Sequence, residues 1–119
     1  MGVLNVTPDS FFDGGHIMSP SAAFNTAASM VEVGASILDV GGESTRPGAE
    51  PVCSNEEIDR VVPVIELIKG LDVIVSVDTC KTHVAAVAVD AGASMVNDVR
   101  AALDEGMVDL ISRTKVGVC

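Results

Sequence analysis

The chain has 119 residues, 48% of them hydrophobic, enough for one modest domain or part of a larger one; without Trp or Tyr, its core must be built from Val, Ala, Ile and Leu. A formal net charge of −10 argues against nucleic acid and anionic membrane surfaces as partners, so an anionic ligand would need a few placed cations or a metal. Cys53, Cys80 and Cys119 show no metal-ligand spacing and suit a reduced, cytoplasmic setting, and the sequence has neither a signal-peptide pattern nor an apolar stretch of membrane-spanning length.

In chain order, Val3–Val6 predicts a first strand with Asn5 near its C-terminal end. Ser19 as N-cap and Pro20 at the first helical position open a helix that runs to Gly34. Ser36–Val40 predicts the second strand, which carries Asp39 and breaks into a polar loop, Gly41–Gly48. That loop gathers two glycines, two hydroxyls, Arg46 and a Pro47-Gly48 stop. A core segment would not concentrate polar groups beside flexible backbone, because each would need a buried partner. A chain end that meets a polar ligand would. Asp39 is read as supporting the site without touching ligand; its structural alternative is to anchor this loop by accepting its backbone N–H groups.

Ser54-Asn-Glu-Glu57 reads as a capping box, with a helix continuing to about Gly70 and a kink expected at Pro63. Val73–Asp78 predicts the third strand, with Thr79 as N-cap of a helix ending at Gly92. Met95–Asn97 predicts the fourth strand, a helix follows from about Asp104 to Arg113, and Val116–Cys119 predicts a fifth strand.

Strands alternating with helices imply βαβ units and a parallel sheet. Val33-Gly-Ala-Ser-Ile-Leu-Asp39 and Ala91-Gly-Ala-Ser-Met-Val-Asn97 echo each other, as expected of a fold that reuses one unit. Asn5, Asp39, Asp78 and Asn97 all stand at or near C-terminal strand ends, the edge that carries the active site in (β/α)8 barrels. The Rossmann and Walker A glycine patterns are absent. The reading is therefore an α/β fold, a (β/α)8 TIM barrel, with four βα units and the start of a fifth. No linker interrupts the chain, so residues 1–119 are read as part of one barrel domain.

Met1-Gly-Val-Leu-Asn-Val-Thr-Pro-Asp-Ser-Phe-Phe-Asp-Gly-Gly15 and Gly41-Gly-Glu-Ser-Thr-Arg-Pro-Gly48 resemble the two signature segments of dihydropteroate synthase. Ser76-Val-Asp-Thr79 and Val96-Asn-Asp98 are similar to its third and fourth strand ends, in the same order. The resemblance implies the N-terminal half of a (β/α)8 barrel that joins 6-hydroxymethyl-7,8-dihydropterin pyrophosphate to p-aminobenzoate, with Mg²⁺, and releases pyrophosphate. It implies Asn5 as a Mg²⁺ ligand, Thr45 and Arg46 on a substrate loop, Asp78 and Asn97 holding the pterin, and Phe11 and Pro47 flanking the p-aminobenzoate site. A homodimer of the whole protein and a target for sulfonamides are implied too. Phe12 departs from the pattern, standing where the family often has a small residue.

The residue types fit that chemistry. An ionised Asp only accepts hydrogen bonds, whereas Asn donates and accepts, so Asp78 and Asn97 together can read a mixed heterocycle edge. Departure of pyrophosphate would leave positive charge on the pterin, which a fixed Asp78 carboxylate stabilises. The arylamine is itself the nucleophile, so no catalytic Ser, Cys or Lys is needed. A pterin-binding methyltransferase domain and a non-catalytic barrel fragment are the alternatives, and the 119 residues alone are expected to lack synthase activity. His83 reads as an exposed helix-start residue, and Lys81 and Arg100 receive no site role.

Overall fold

The computed structural model describes residues 1–7, 20–44 and 48–119. Five strands form one parallel sheet in the order β1-β2-β3-β4-β5, where β1 is Gly2–Asn5, β2 Ile37–Gly41, β3 Ile74–Asp78, β4 Met95–Asn97 and β5 Gly117–Val118. Between them lie α1 (Pro20–Glu32), α2 (Ser54–Ile68), α3 (Thr82–Ala91) and α4 (Met107–Thr114). Strands neighbouring in sequence neighbour in space and run parallel through helical crossovers. This is the repeat of a (β/α)8 barrel, seen here over its first four to five units.

Strand side chains alternate between the two faces. Leu4, Val40, Val77 and Val96 are register partners and all buried, and this face packs against the helices. Ala23 and Ala27 of α1, Val61, Ile65 and Ile68 of α2, and Val84, Ala85 and Ala88 of α3 supply the other half of that core. On the opposite face Val3 and Ile74 stay exposed, and the polar strand-end residues share that face.

The sequence echo is a real structural repeat. Gly34 (φ 103°) and Gly92 (φ 131°) both leave a helix in a backbone conformation that favours glycine. Behind them Ala35 N–H donates to the Met30 carbonyl and Ala93 N–H to the Ala88 carbonyl, each at 2.9 Å. The same exit geometry feeds β2 and β4.

Several local expectations need correction. Ser54 and Glu57 do not form a capping box: α2 begins at Ser54 with Cys53 as N-cap and no side-chain cap, because the Glu57 carboxylate is drawn to Lys81. The helix includes Pro63 and, as expected, ends close to Gly70, with Ile68 its last residue and Lys69 its C-cap. Thr79 does not cap α3, which starts at Thr82; its Oγ1 instead accepts from Lys81 N–H at 3.2 Å. Asp104 does not start α4. It turns back to accept from the Thr82 N–H at 2.7 Å, covering the N-terminus of α3, while α4 begins at Met107. The predicted cap at Ser19 lies outside the described residues.

Candidate active site at the strand ends

Asn5, Gly41, Asp78 and Asn97 occupy one register row across β1 to β4, at the C-terminal edge of the sheet. Three of the sequence-predicted site residues are thus brought side by side. Gly41 shapes the row by having no side chain. A Cβ at that position would lie 3.6 Å from Asn5 Oδ1 and 3.6 Å from Asp78 Oδ2, so the two oxygens face a common gap. One position earlier runs a second row on the same face, Val3, Asp39, Ser76 and Met95.

Asp78 is half-buried, and its carboxyl is pushed up to about 6. Burial is the main cause, followed by the negative charges of Asp39, Glu57 and Asp98. A carboxylate so raised is poised for a positive partner, since a cation over the row would restore what desolvation removes.

Asp39 acts on the row through a neighbour rather than on ligand directly. Its side chain, 3% exposed, crosses to β4 and accepts from Asn97 Nδ2 at 2.9 Å, while its Oδ1 has no hydrogen-bond partner among the described residues.

Lys81 also acquires a part that its sequence context did not reveal. Its Nζ binds Glu57 at 2.6 Å, the Val52 carbonyl at 2.6 Å, and Glu43. Glu43 and Val52 bracket the polar loop, so one amine holds both ends of it against the β3–α3 turn. Burial acts to lower the Lys81 pKa, but the hydrogen bonds and charges of Glu43 and Glu57 outweigh it, and the amine is held above its ordinary value. Arg60 of α2 adds a bond to the Gly42 carbonyl at 2.8 Å.

Asp98, buried and given no role by the sequence reading, shapes the segment after β4. Its carboxylate accepts from Arg100 N–H at 2.8 Å and Ala102 N–H at 2.9 Å. His83 is exposed, as expected. Thr45, Arg46, Pro47 and Phe11 lie outside the described residues. A separate groove, lined in part by Gly34, Leu71, Asp72 and Val73, sits at the opposite, N-terminal edge of the strands, where barrels keep residues for stability. Among the described residues no group of three or more His, Cys, Asp or Glu could hold a metal ion, and no helix is long and apolar enough to cross a membrane.

Parallel βα units in sequential order, with carboxylate and carboxamide side chains along the C-terminal strand edge, define the barrel-enzyme class. The family model described as pterin binding enzyme matches residues 1–119, and the chain belongs to that family. A dihydropteroate synthase of Streptococcus pyogenes serotype M1 is 52% identical over 109 residues, covering 91% of this chain and 41% of that protein. The Clostridium difficile dihydropteroate synthase, solved in the presence of pteroic acid, superposes with a TM-score of 0.92 at 48% identity, covering 99% of this chain and 46% of that one. The Xanthomonas albilineans enzyme with 4-aminobenzoic acid gives 0.89 at 48% identity, over 98% and 44%. The chain therefore spans less than half the length of these relatives.

Proposed function

We propose that the whole protein is a dihydropteroate synthase, condensing 6-hydroxymethyl-7,8-dihydropterin pyrophosphate with p-aminobenzoate and releasing pyrophosphate. The observation that carries this reading is the Asn5–Gly41–Asp78–Asn97 row, set in a chain whose relatives were solved with pteroic acid and with 4-aminobenzoic acid. In the proposed reaction, Asp78 and Asn97 hold the pterin by its polar edge. The C–O bond to pyrophosphate breaks, the electron pair leaves with pyrophosphate, and the positive charge left on the pterin lies near the Asp78 carboxylate. The arylamine nitrogen then bonds to the pterin methylene carbon and loses a proton. Thr45, Arg46, Phe11 and Pro47 are assigned to substrate contacts by the family resemblance.

Mg²⁺ fits this arrangement only as an ion coordinated chiefly by substrate and water. Asn5 offers one hard carbonyl oxygen beside the gap over Gly41, and the ligand's phosphate oxygens would complete the coordination. Bound there, the ion would neutralise the charge of the departing pyrophosphate. The three free cysteines support a reduced, cytoplasmic setting. The resemblance also supports a homodimer of the whole protein, which sedimentation would reveal.

The test is pyrophosphate release by the whole protein. Release is expected only when both substrates and Mg²⁺ are present, to be competed by a sulfonamide against p-aminobenzoate, and to be nearly abolished by Asp78→Ala. Release without p-aminobenzoate, or full turnover in Asp78→Ala, would overturn the reading.

A further inference from the structure

We propose that Asp39 is a positioning residue that fixes which way the Asn97 carboxamide faces, and thereby sets the order of donor and acceptor this site presents to a heterocycle. The inference rests on the pterin reading above and adds a specificity determinant to it. Asp39 lies on β2 and Asn97 on β4, with β3 between them. The contact is possible because Ser76, the register partner of Asp39 on β3, is small. Asp39 reaches past it to meet Asn97 Nδ2 at 2.9 Å.

An unrestrained Asn can rotate its amide by half a turn and exchange its carbonyl and NH₂ ends, which makes it a poor discriminator. An ionised carboxylate accepts and cannot donate, so only the NH₂ end of Asn97 can face Asp39. One of its two protons is committed to Asp39 Oδ2. Asn97 Oδ1 and the second N–H remain for a ligand, in one fixed order. Asp39 is 3% exposed, and Asn97 is its one hydrogen-bond partner among the described residues.

A 2-amino-4-oxo pteridine presents an amino donor beside a ring-nitrogen acceptor at N1. Its 2,4-dioxo counterpart, lumazine, presents a carbonyl acceptor beside an N1–H donor, which is the reversed order. A locked Asn97 complements one of these edges and is mismatched with the other; an unlocked Asn97 can turn to suit either.

The experiment compares binding of 6-hydroxymethylpterin and 6-hydroxymethyllumazine to the whole protein, as wild type, Asp39→Leu and Asp39→Asn. The wild type is expected to prefer the pterin by at least about tenfold, the discrimination a site gains when the wrong ligand leaves its polar groups unpaired. Asp39→Leu should shrink the preference to about twofold or less, chiefly by gaining lumazine affinity, because neither amide order is then enforced. Asp39→Asn, which keeps the volume and can face Asn97 with either end, should fall between the two and covers the case of a Leu variant that does not fold. The order parameter of the Asn97 side-chain NH₂, measured by NMR without ligand, should drop in both variants. A merely structural Asp39 would weaken both ligands together and leave their ratio unchanged. That outcome, or an unaltered order parameter, overturns the role of Asp39. A wild type that binds neither heterocycle overturns the pterin reading itself.

Discussion

Lys81 and Glu57 form a 2.6 Å ion pair in which the carboxylate is 1% exposed, joining the turn after β3 to the first turn of α2. The pair carries the polar loop with it, since the same amine holds Glu43 and the Val52 carbonyl. Removing one member of a buried pair leaves the other charged and unsolvated. Lys81→Met should therefore destabilise the protein by about 3–5 kcal/mol in urea denaturation. The double variant Lys81→Met, Glu57→Met should recover most of that loss, because both charges leave together. A single variant as stable as wild type would show that Glu57 finds another partner.

Asp78 predicts a pH dependence. Its folded pKa, about 6, stands above the ordinary value of 3.8, so between those pH values the folded state binds more protons than the unfolded chain. This group's contribution to stability is fully present below about pH 4, and it is lost as pH rises through about 6. Asp78→Asn should consequently be more stable than wild type at pH 7 and show no such advantage at pH 4. Denaturation midpoints at the two pH values decide the matter, and an advantage unchanged between them would contradict the assigned pKa.

Two adjacent glycines should respond differently to alanine. At Gly42 an added Cβ would lie 2.8 Å from Val61 Cγ1 and 3.2 Å from the Glu57 carbonyl, a clash with packed helix and backbone. Gly42→Ala should cost about 1–3 kcal/mol, the usual penalty of overpacking. At Gly41 the nearest atoms are at 3.6 Å, ordinary contact, so Gly41→Ala should fold with near-wild-type stability. Yet that methyl would fill the gap between Asn5 and Asp78. If the proposed synthase function holds, Gly41→Ala in the whole protein should weaken pterin pyrophosphate binding at least about tenfold, the factor that about 1.4 kcal/mol of lost contact corresponds to. Thermal melts and a titration separate the two effects.

Ala101 and Ala102 both have positive φ, 55° and 58°, a conformation that L-residues other than glycine adopt at a cost. The Asp98 carboxylate holds that segment through two backbone N–H groups. Ala101→Gly should raise stability by about 0.5–1 kcal/mol, because the exposed methyl contributes strain and little packing. Asp98→Ala should lower stability by about 0.5–1.5 kcal/mol by removing the acceptor of two part-buried N–H groups. Equal melting temperatures for the Ala101→Gly variant and wild type would show that the strain is relieved elsewhere.

What could be read in the sequence was what local pattern encodes. The alternation of apolar runs and helical stretches located five strands and four helices, with β4 placed at Met95–Asn97 to the residue. It also placed Asn5, Asp78 and Asn97 at one sheet edge, because a strand end carries its polar residue wherever the strand goes. Long-range pairing was hidden. Glu57 stands three residues after Ser54, the spacing of a helix cap, and only the fold brings Lys81 close enough to claim it. Asp104 looked like the start of α4, and the fold sets it against Thr82 of α3 instead. For Asp39 the sequence offers only the adjacent loop as a partner, whereas Asn97, 58 residues away, is its partner in space.

The register row has one more consequence. Asn5 and Asn97 sit on strands three intervals apart, and neighbouring strands lie about 4.8 Å from each other, so the two residues are about 14 Å apart measured along the sheet. The sheet edge thus acts as a ruler whose marks are set by backbone hydrogen bonds and cannot slide with side-chain motion. A ligand long enough to touch both ends must lie across the strands, with its middle over Gly41 and Asp78. Shorter molecules can engage one end only, and so the pitch of the barrel itself selects for length before any side chain selects for chemistry.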